Sequence, residues 1–294
     1  MSDLEFSRAC PDDLLIISKD SLQEHSNHLE QVLTRLSEAG LKVNITKSSF
    51  CKHESECLGF WVARQVIQPL TKKTEAILKI STPTKRKYVR SFLGMVNFHR
   101  NMWPKWSEIL VPLTALTSTD VKWKWTEVEE WACNKMKRVM ARETLLAFPD
   151  FNKPFIMHTD ASKTQLGSVI SQERKPITFH SRKSNPAQTR CTTTERELLS
   201  IVETLKEFRN ILHGQKIAIC TDHENLVQKS LTSERVMRWR LHIEEFSPES
   251  IHLKGEDNDV SMPTDLCTSS HNIICEWSMG NVPCAHHCTC KWVR

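Results

Sequence analysis

The sequence predicts an α/β chain, α+β in overall order: a strand and helix layer, then a run of helices, then a second layer with a mixed sheet flanked by helices. Three observations predict it. The short apolar runs DDLLIIS (12–18) and FIMHTDA (155–161) have the length of buried strands and carry acids at one end. The stretch SNHLEQVLTRLSEA (26–39) places Leu29, Val32, Leu33 and Leu36 at helical spacing, with Gly40 as its stop. From Pro69 to about Glu143 one helical pattern follows another. With 294 residues, 39% of them hydrophobic, and 9 Trp and 11 Phe, the chain can build more than one core.

Taken in order, residues 1–68 hold the first strand, the helix, and the strands LKVNI and CLGFWVA. Residues 69–117 read as TKKTEAILKI, KRKYVRSFLGMVNFHR and WSEILVPLTAL, three helices separated by Pro83 and Pro104. Residues 118–150 form a connecting segment with a helix from about Glu127 to Glu143, and the prolines of PDFNKP mark a boundary. Residues 151–268 resume the mixed pattern: FIMHTDA, SVISQ and PITFHS as strands, TTERELLSIVETLKEFRNIL as one long helix, QKIAICTDH as a strand and SERVMRWRLHIEEF as a helix. The tail, 269–294, shows no periodicity.

Charge and cysteine content bound the class. A net charge of +5 and a pI near 8.6 permit a polyanionic partner without requiring one. The excess is local: between Pro69 and Lys105 stand Lys72, Lys73, Lys79, Lys85, Arg86, Lys87, Arg90, Arg100 and Lys105 against the single acid Glu75. A charge run is most often a solvated helix face, and Phe92, Leu93, Met95, Val96 and Phe98 within it read as core. No run has the length of a membrane-spanning helix, and MSDLEFSRAC lacks the regions of a secretory signal, so an intracellular protein, cytoplasmic or nuclear, is expected. Eleven cysteines become dense only after Leu266, which suits reduced thiols.

Phosphodiester hydrolysis with two metals needs carboxylates converging on ions roughly 3.5 to 4 Å apart, and hard cations favour oxygen ligands. Asp160 ends an apolar strand and is followed by the small Ala161 and Ser162; Asp222 occupies the same situation in IAICTDH. Glu197 stands in the first turns of the long helix, and Asp265 follows Pro263 near the end of the layer. Each has an ordinary alternative. Asp160 and Asp222 suit strand ends, Asp265 suits a turn or cap, and Glu197 completes a capping box with Thr194. Glu195 competes with Glu197, but on one helix the two point about 200° apart, so only one serves the site.

The phrases EAGLKVN, SFLGMVNFHR, PDFNKPF, TDASKTQLGSVISQ, ITFHSRKSNPAQ, TTERELLSIVETLKEFRNIL and CTDHENL, in this order, resemble the Pol polyprotein of Ty3/gypsy-type LTR retrotransposons from Asp12 to about Asn258. The resemblance implies a partial reverse transcriptase palm (1–68), a helical thumb-like region (69–117), a connection (118–150) and an RNase H-like domain (151–268). It implies a metal-dependent nuclease that cuts the RNA strand of RNA·DNA hybrids with two Mg²⁺ or Mn²⁺ ions, and it assigns Asp160, Glu197 and Asp222 as the first three ligands. The fourth departs from the pattern: Gly255 and Asn258 fit, Met262 occupies the acid position, and Asp265 is the substitute, with Asp259 on the other side.

The polymerase motif Tyr-x-Asp-Asp reads Cys10, Pro11, Asp12, Asp13 here. An earlier palm carboxylate and the fingers have no place in the eleven residues before Asp12, so polymerisation is expected only if another chain supplies them. In the thumb-like region Lys72, Lys73, Lys85, Arg86, Lys87 and Arg90 are the candidate phosphate contacts. CLGFWVA resembles a primer grip, with Trp61 equally suited to packing. Cys284, His286, His287, Cys288 and Cys290 are all able to bind zinc, yet their spacing is no finger, and the tail is expected to be unstructured. The competing reading is an inactive retroelement remnant that only binds nucleic acid.

Overall fold

The computed structural model describes residues 4, 6–9, 13–18, 21–63, 66–142, 144–221, 233–252 and 286–293. The chain divides into two compact units, 1–73 with 269–294, and 74–268.

In the first unit β1 (Ser7–Ala9) and β2 (Asp13–Ser18) pair antiparallel, and β2 alternates strictly, burying Leu14, Ile16 and Ser18. Leu14 and Ile16 pack on Val32 and Leu36 of α1 (Leu22–Glu38). This helix starts four residues before its apolar periodicity does, because the Ser21 hydroxyl accepts the Glu24 amide at 3.1 Å and caps it. Then follow β3 (Lys42–Val43), β4 (Ser49–Lys52), β5 (Ser55–Cys57), β6 (Phe60–Val62) and β7 (Val66–Pro69). CLGFWVA is a tight hairpin turning at Leu58 and Gly59, both at positive φ, with the Trp61 indole donating to Glu54 at 3.1 Å. The tail corrects the expectation of an unstructured end: His286–Val293 forms a strand, numbered β14 below, that pairs antiparallel with β2, β3 and β4.

The second unit receives the chain through α2 (Thr71–Leu78). Helix α3 (Arg86–Asn97) buries Val89, Phe92, Leu93 and Val96, a single i, i+3, i+4, i+7 stripe. Met95 and Phe98, expected in the core, lie off that stripe and are 40% and 52% exposed, as is Tyr88 at 52%. Next come α4 (Trp106–Ala115), α5 (Glu127–Met140), held at its start by a Thr126/Glu129 capping box, and the short β8 (Leu146–Ala147).

The strands that follow are β9 (Phe155–Ala161), β10 (Gln165–Gln172) and β11 (Lys175–Lys183), an antiparallel meander. The helix expected as one piece is α6 (Thr193–Glu207) and a short α7 (Arg209–Leu212), broken at Phe208. Then β12 (Ile217–Thr221), α8 (Glu234–Glu244) and β13 (Glu249–His252) complete a sheet of order β11-β10-β9-β12-β13, mixed because β12 runs parallel to both β9 and β13. Phe155, Met157, Ile170, Ile217 and Ile219 of the sheet close on Ile201, Leu205, Phe208 and Leu212 to form its core. The sequence divisions at 117/118 and 150/151 fall inside this unit: the Ser107 hydroxyl donates to Gln165 at 2.6 Å, and Arg100 pairs with Glu207 at 2.5 Å.

Candidate active site

The alternation of β9 decides what each of its residues faces. Phe155, Met157 and Thr159 are fully buried, the first two in the core with α6, so Asp160 falls on the other set of positions and is exposed at the strand's carboxyl end. β10 follows it to Ala161, and among the described residues β12 supplies partners as far as His158, opposite Cys220. A side chain from α6 reaches the end of the strand: Glu197 Oε1 accepts the Ala161 amide at 3.1 Å. The Glu197 carboxylate, 4% exposed, is thus held at the amide of the residue next to Asp160. Crevices outside the carboxyl ends of strands are where open α/β sheets bind ligands.

Glu197 reaches that position because another residue caps the helix. The capping box is Thr192 with Glu195, not Thr194 with Glu197: Thr192 Oγ1 accepts the Glu195 amide at 3.2 Å, and Glu195 Oε2 accepts the Thr192 amide at 2.9 Å. Glu195 also binds Arg235 of α8 at 2.5 Å. The Thr192 backbone N–H, with Arg235 after it, holds the Glu195 carboxyl below the usual range despite the opposing effect of burial. The register of α6 is set by hydroxyls: Ser200 donates to Gly167 O at 3.0 Å, and Ser168 and Thr204 share a bond of 2.8 Å.

Of the residues singled out in the sequence, Asp160 and Glu197 are therefore brought to one end of β9. Asp222 follows Thr221, the last residue of β12, and it lies outside the described residues, as do Asp265, Asp259, Met262 and Asp12. Asp13 begins β2. Among the described residues no group of three or more His, Cys, Asp or Glu side chains stands together to hold a metal. Asp160 and Glu197 contribute oxygen donors only, which fits a hard divalent cation and does not fit a soft one.

The six candidate phosphate contacts divide into two kinds. Lys72, Lys73, Lys85 and Lys87 are exposed. Arg86 instead donates to Leu116 O at 2.9 Å and Val121 O at 2.5 Å, and Arg90 donates to Thr117 O at 2.7 Å, so both satisfy carbonyls at and beyond the end of α4. The sequence reading missed the outward row Tyr88, Met95 and Phe98 on the same helix, although its 3.6-residue period signals it. A cavity of about 450 Å³ lies between Arg100, the β11 residues His180 and Arg182, and the α6 residues Glu203, Lys206 and Glu207. Its charges answer one another, Arg100 with Glu207, and Arg182 and Lys206 with Glu203. Burial holds the His180 imidazole neutral, its pKa lowered to about 4.

Residues 11–62 match the reverse transcriptase (RNA-dependent DNA polymerase) family, and residues 125–219 match the RNase H-like domain found in reverse transcriptase. Over 254 residues the chain is 36% identical to the retrovirus-related Pol polyprotein from transposon 297 of Drosophila melanogaster, covering 85% of this chain and 24% of that protein. It is 32% identical to the transposon Tf2-3 polyprotein of Schizosaccharomyces pombe, covering 85% of this chain and 20% of that protein. The chain thus spans a quarter or less of the relatives' own length. The fold is similar to that of the foamy viral protease-reverse transcriptase, solved in complex with double-stranded DNA and with an RNA/DNA hybrid. Each superposes with a TM-score of 0.75 at 24% identity over 86% of this chain, and over 47% and 36% of the respective solved chains. In the order of its matched domains and in the relatives it shares, the chain corresponds to the reverse transcriptase and RNase H-like region of transposon Pol polyproteins.

Proposed function

We propose that this region is a metal-dependent ribonuclease H, a hydrolase that cuts the RNA strand of RNA·DNA hybrids, within a Ty3/gypsy-type polyprotein. The observation that carries the reading is the Glu197 carboxylate at the Ala161 amide, next in sequence to Asp160, at the carboxyl end of β9. A Glu that only capped its helix would not reach the end of that strand. Asp160, Glu197, Asp222 and Asp265 would hold two Mg²⁺ or Mn²⁺ ions. When bound, such ions supply activation of water and stabilisation of the leaving oxygen. The protein's own part is to fix its donors in advance. The Ala161 amide orients one Glu197 oxygen, the Ser200 and Thr204 hydroxyls fix the helix that carries it, and the β9–β10 ladder fixes Asp160.

Hybrid binding is assigned to the exposed Lys72, Lys73, Lys85 and Lys87, with Arg86 and Arg90 adding charge beside their structural bonds. These are phosphate contacts, indifferent to base sequence. The relatives resembled by fold were solved with DNA or with a hybrid, which supports that substrate class. Asp12 and Asp13 stand where the resemblance places the paired acids of the polymerase motif. A second reading, a remnant that binds hybrids without cutting them, is favoured by Met262 at the expected acid position. Cleavage of a labelled hybrid in Mg²⁺ and Mn²⁺ decides between the two. The nuclease reading expects cleavage that Asp160→Asn and Asp222→Asn abolish and Asp265→Asn depresses. Binding without cleavage in both the parent protein and Met262→Asp makes it a remnant.

A further inference from the structure

The start of α6 is tied from two sides. On one side Glu197 binds the β9 backbone at Ala161. On the other, Glu195 joins the Thr192 amide and Arg235, which is the second residue of α8. Two residues apart on a helix, these carboxylates point about 200° from each other, so a force on one is transmitted to the other through the first turn. The Glu195–Arg235 pair is sheltered on its Glu195 side only, the Arg235 side chain being 52% exposed. The Glu195 side chain is 18% exposed, the bond is 2.5 Å, and the Arg235 guanidinium also lies 5.2 Å over the Trp239 ring, which restricts where it can reach. Val236, buried beside it in sequence, seats that turn of α8.

We propose that Glu195 and Arg235 form a positioning pair that clamps the start of α8 to the start of α6 and thereby holds the Glu197 carboxylate at the Ala161 amide. Its catalytic consequence rests on the nuclease reading above; its structural content does not. The pair touches no substrate. With it broken, the first turn of α6 rocks about its Ser200 and Thr204 anchors, and the Glu197–Ala161 bond opens more often than the sheet around it.

Native-state hydrogen exchange on the metal-free protein tests this, with the Ala161 amide compared against the Met157 amide of the same strand. Arg235→Met and Glu195→Gln, the latter still able to cap, are each expected to speed Ala161 exchange about fivefold relative to Met157, the opening allowed by losing one such pair. The double variant is expected to add little to either, and Arg235→Lys to restore part of the protection. Equal acceleration at Met157 and Ala161 would show a general loss of stability and overturn the proposal, as would no change at Ala161 in either variant. In a parallel cleavage assay kcat falls in Arg235→Met while KM holds. A parent that binds the hybrid and does not cut it sinks the nuclease reading, and the exchange result still decides the pair.

Discussion

Replacing Glu197 separates its structural from its chemical role, because two substitutions act on different atoms. Glu197→Gln keeps an oxygen able to accept the Ala161 amide and removes the charge; Glu197→Ala removes the acceptor as well. An amide left without its acceptor in a site this buried costs about 1–3 kcal/mol, and the truncated side chain adds a similar loss of packing. For a unit of the size of residues 74–268, each kcal/mol moves the melting temperature by about 2–4 °C, so Glu197→Ala is expected to melt roughly 4–24 °C below the parent. Glu197→Gln exchanges a charged hydrogen bond for a neutral one and is relieved of burying a charge, two changes of opposite sign that leave it within about 1 kcal/mol of the parent. Metal distinguishes the two proteins. A ligand at a hundred times its Kd stabilises by about 2.7 kcal/mol, so saturating Mg²⁺ or Mn²⁺ is expected to raise the melting point of the parent by roughly 5–11 °C. The same salt is expected to leave Glu197→Gln where it was. Thermal melts with and without metal, ionic strength matched by NaCl, measure both. A full metal shift retained by Glu197→Gln would remove Glu197 from the donor set, and Glu197→Ala melting with Glu197→Gln would mean that the Ala161 bond holds nothing.

The basic stretch is expected to split by function. Lys85→Glu with Lys87→Glu should weaken hybrid binding alike for different sequences and flatten its salt dependence, read by fluorescence anisotropy across a salt series. Arg86→Ala should instead lower stability, by about 1–3 kcal/mol for the carbonyls of Leu116 and Val121 left without that donor, read as a lower melting point. His180, neutral in the fold with a pKa of about 4 against an ordinary 6.5, binds fewer protons folded than unfolded between those values. Stability is therefore whole above pH 6.5 and falls as the pH drops toward 4, by about 3 kcal/mol at most, and urea titrations of His180→Gln should show a shallower acid decline. Phe155→Ala, at a fully buried core position, is expected to cost about 3–5 kcal/mol in the same assay.

Local pattern and tertiary context divided the information unevenly. The strand FIMHTDA, the helices carrying Leu36 and Leu205, and the mixed sheet were legible because hydrophobic periodicity is a local property, set by which faces a strand or helix must bury. Asp160 was legible as a strand-ending acid for the same reason. Choosing between Thr192 and Thr194 as the cap of α6 was not, since either begins a plausible first turn, and the choice depends on where β9 and α8 place the groups that Glu197 and Glu195 must reach. Arg86 and Arg90 read as phosphate ligands until the end of α4 supplied carbonyls 27 or more residues away in sequence. The pairing of β14 with β2 joins opposite ends of the chain and leaves no trace in either segment's composition. The sequence by itself determined the elements and the kinds of residue offered at their ends, because propensity and burial act within a few residues. Only the tertiary structure decided which carboxylate caps and which faces the strand end, because hydrogen bonds between distant segments depend on coordinates that no local pattern contains.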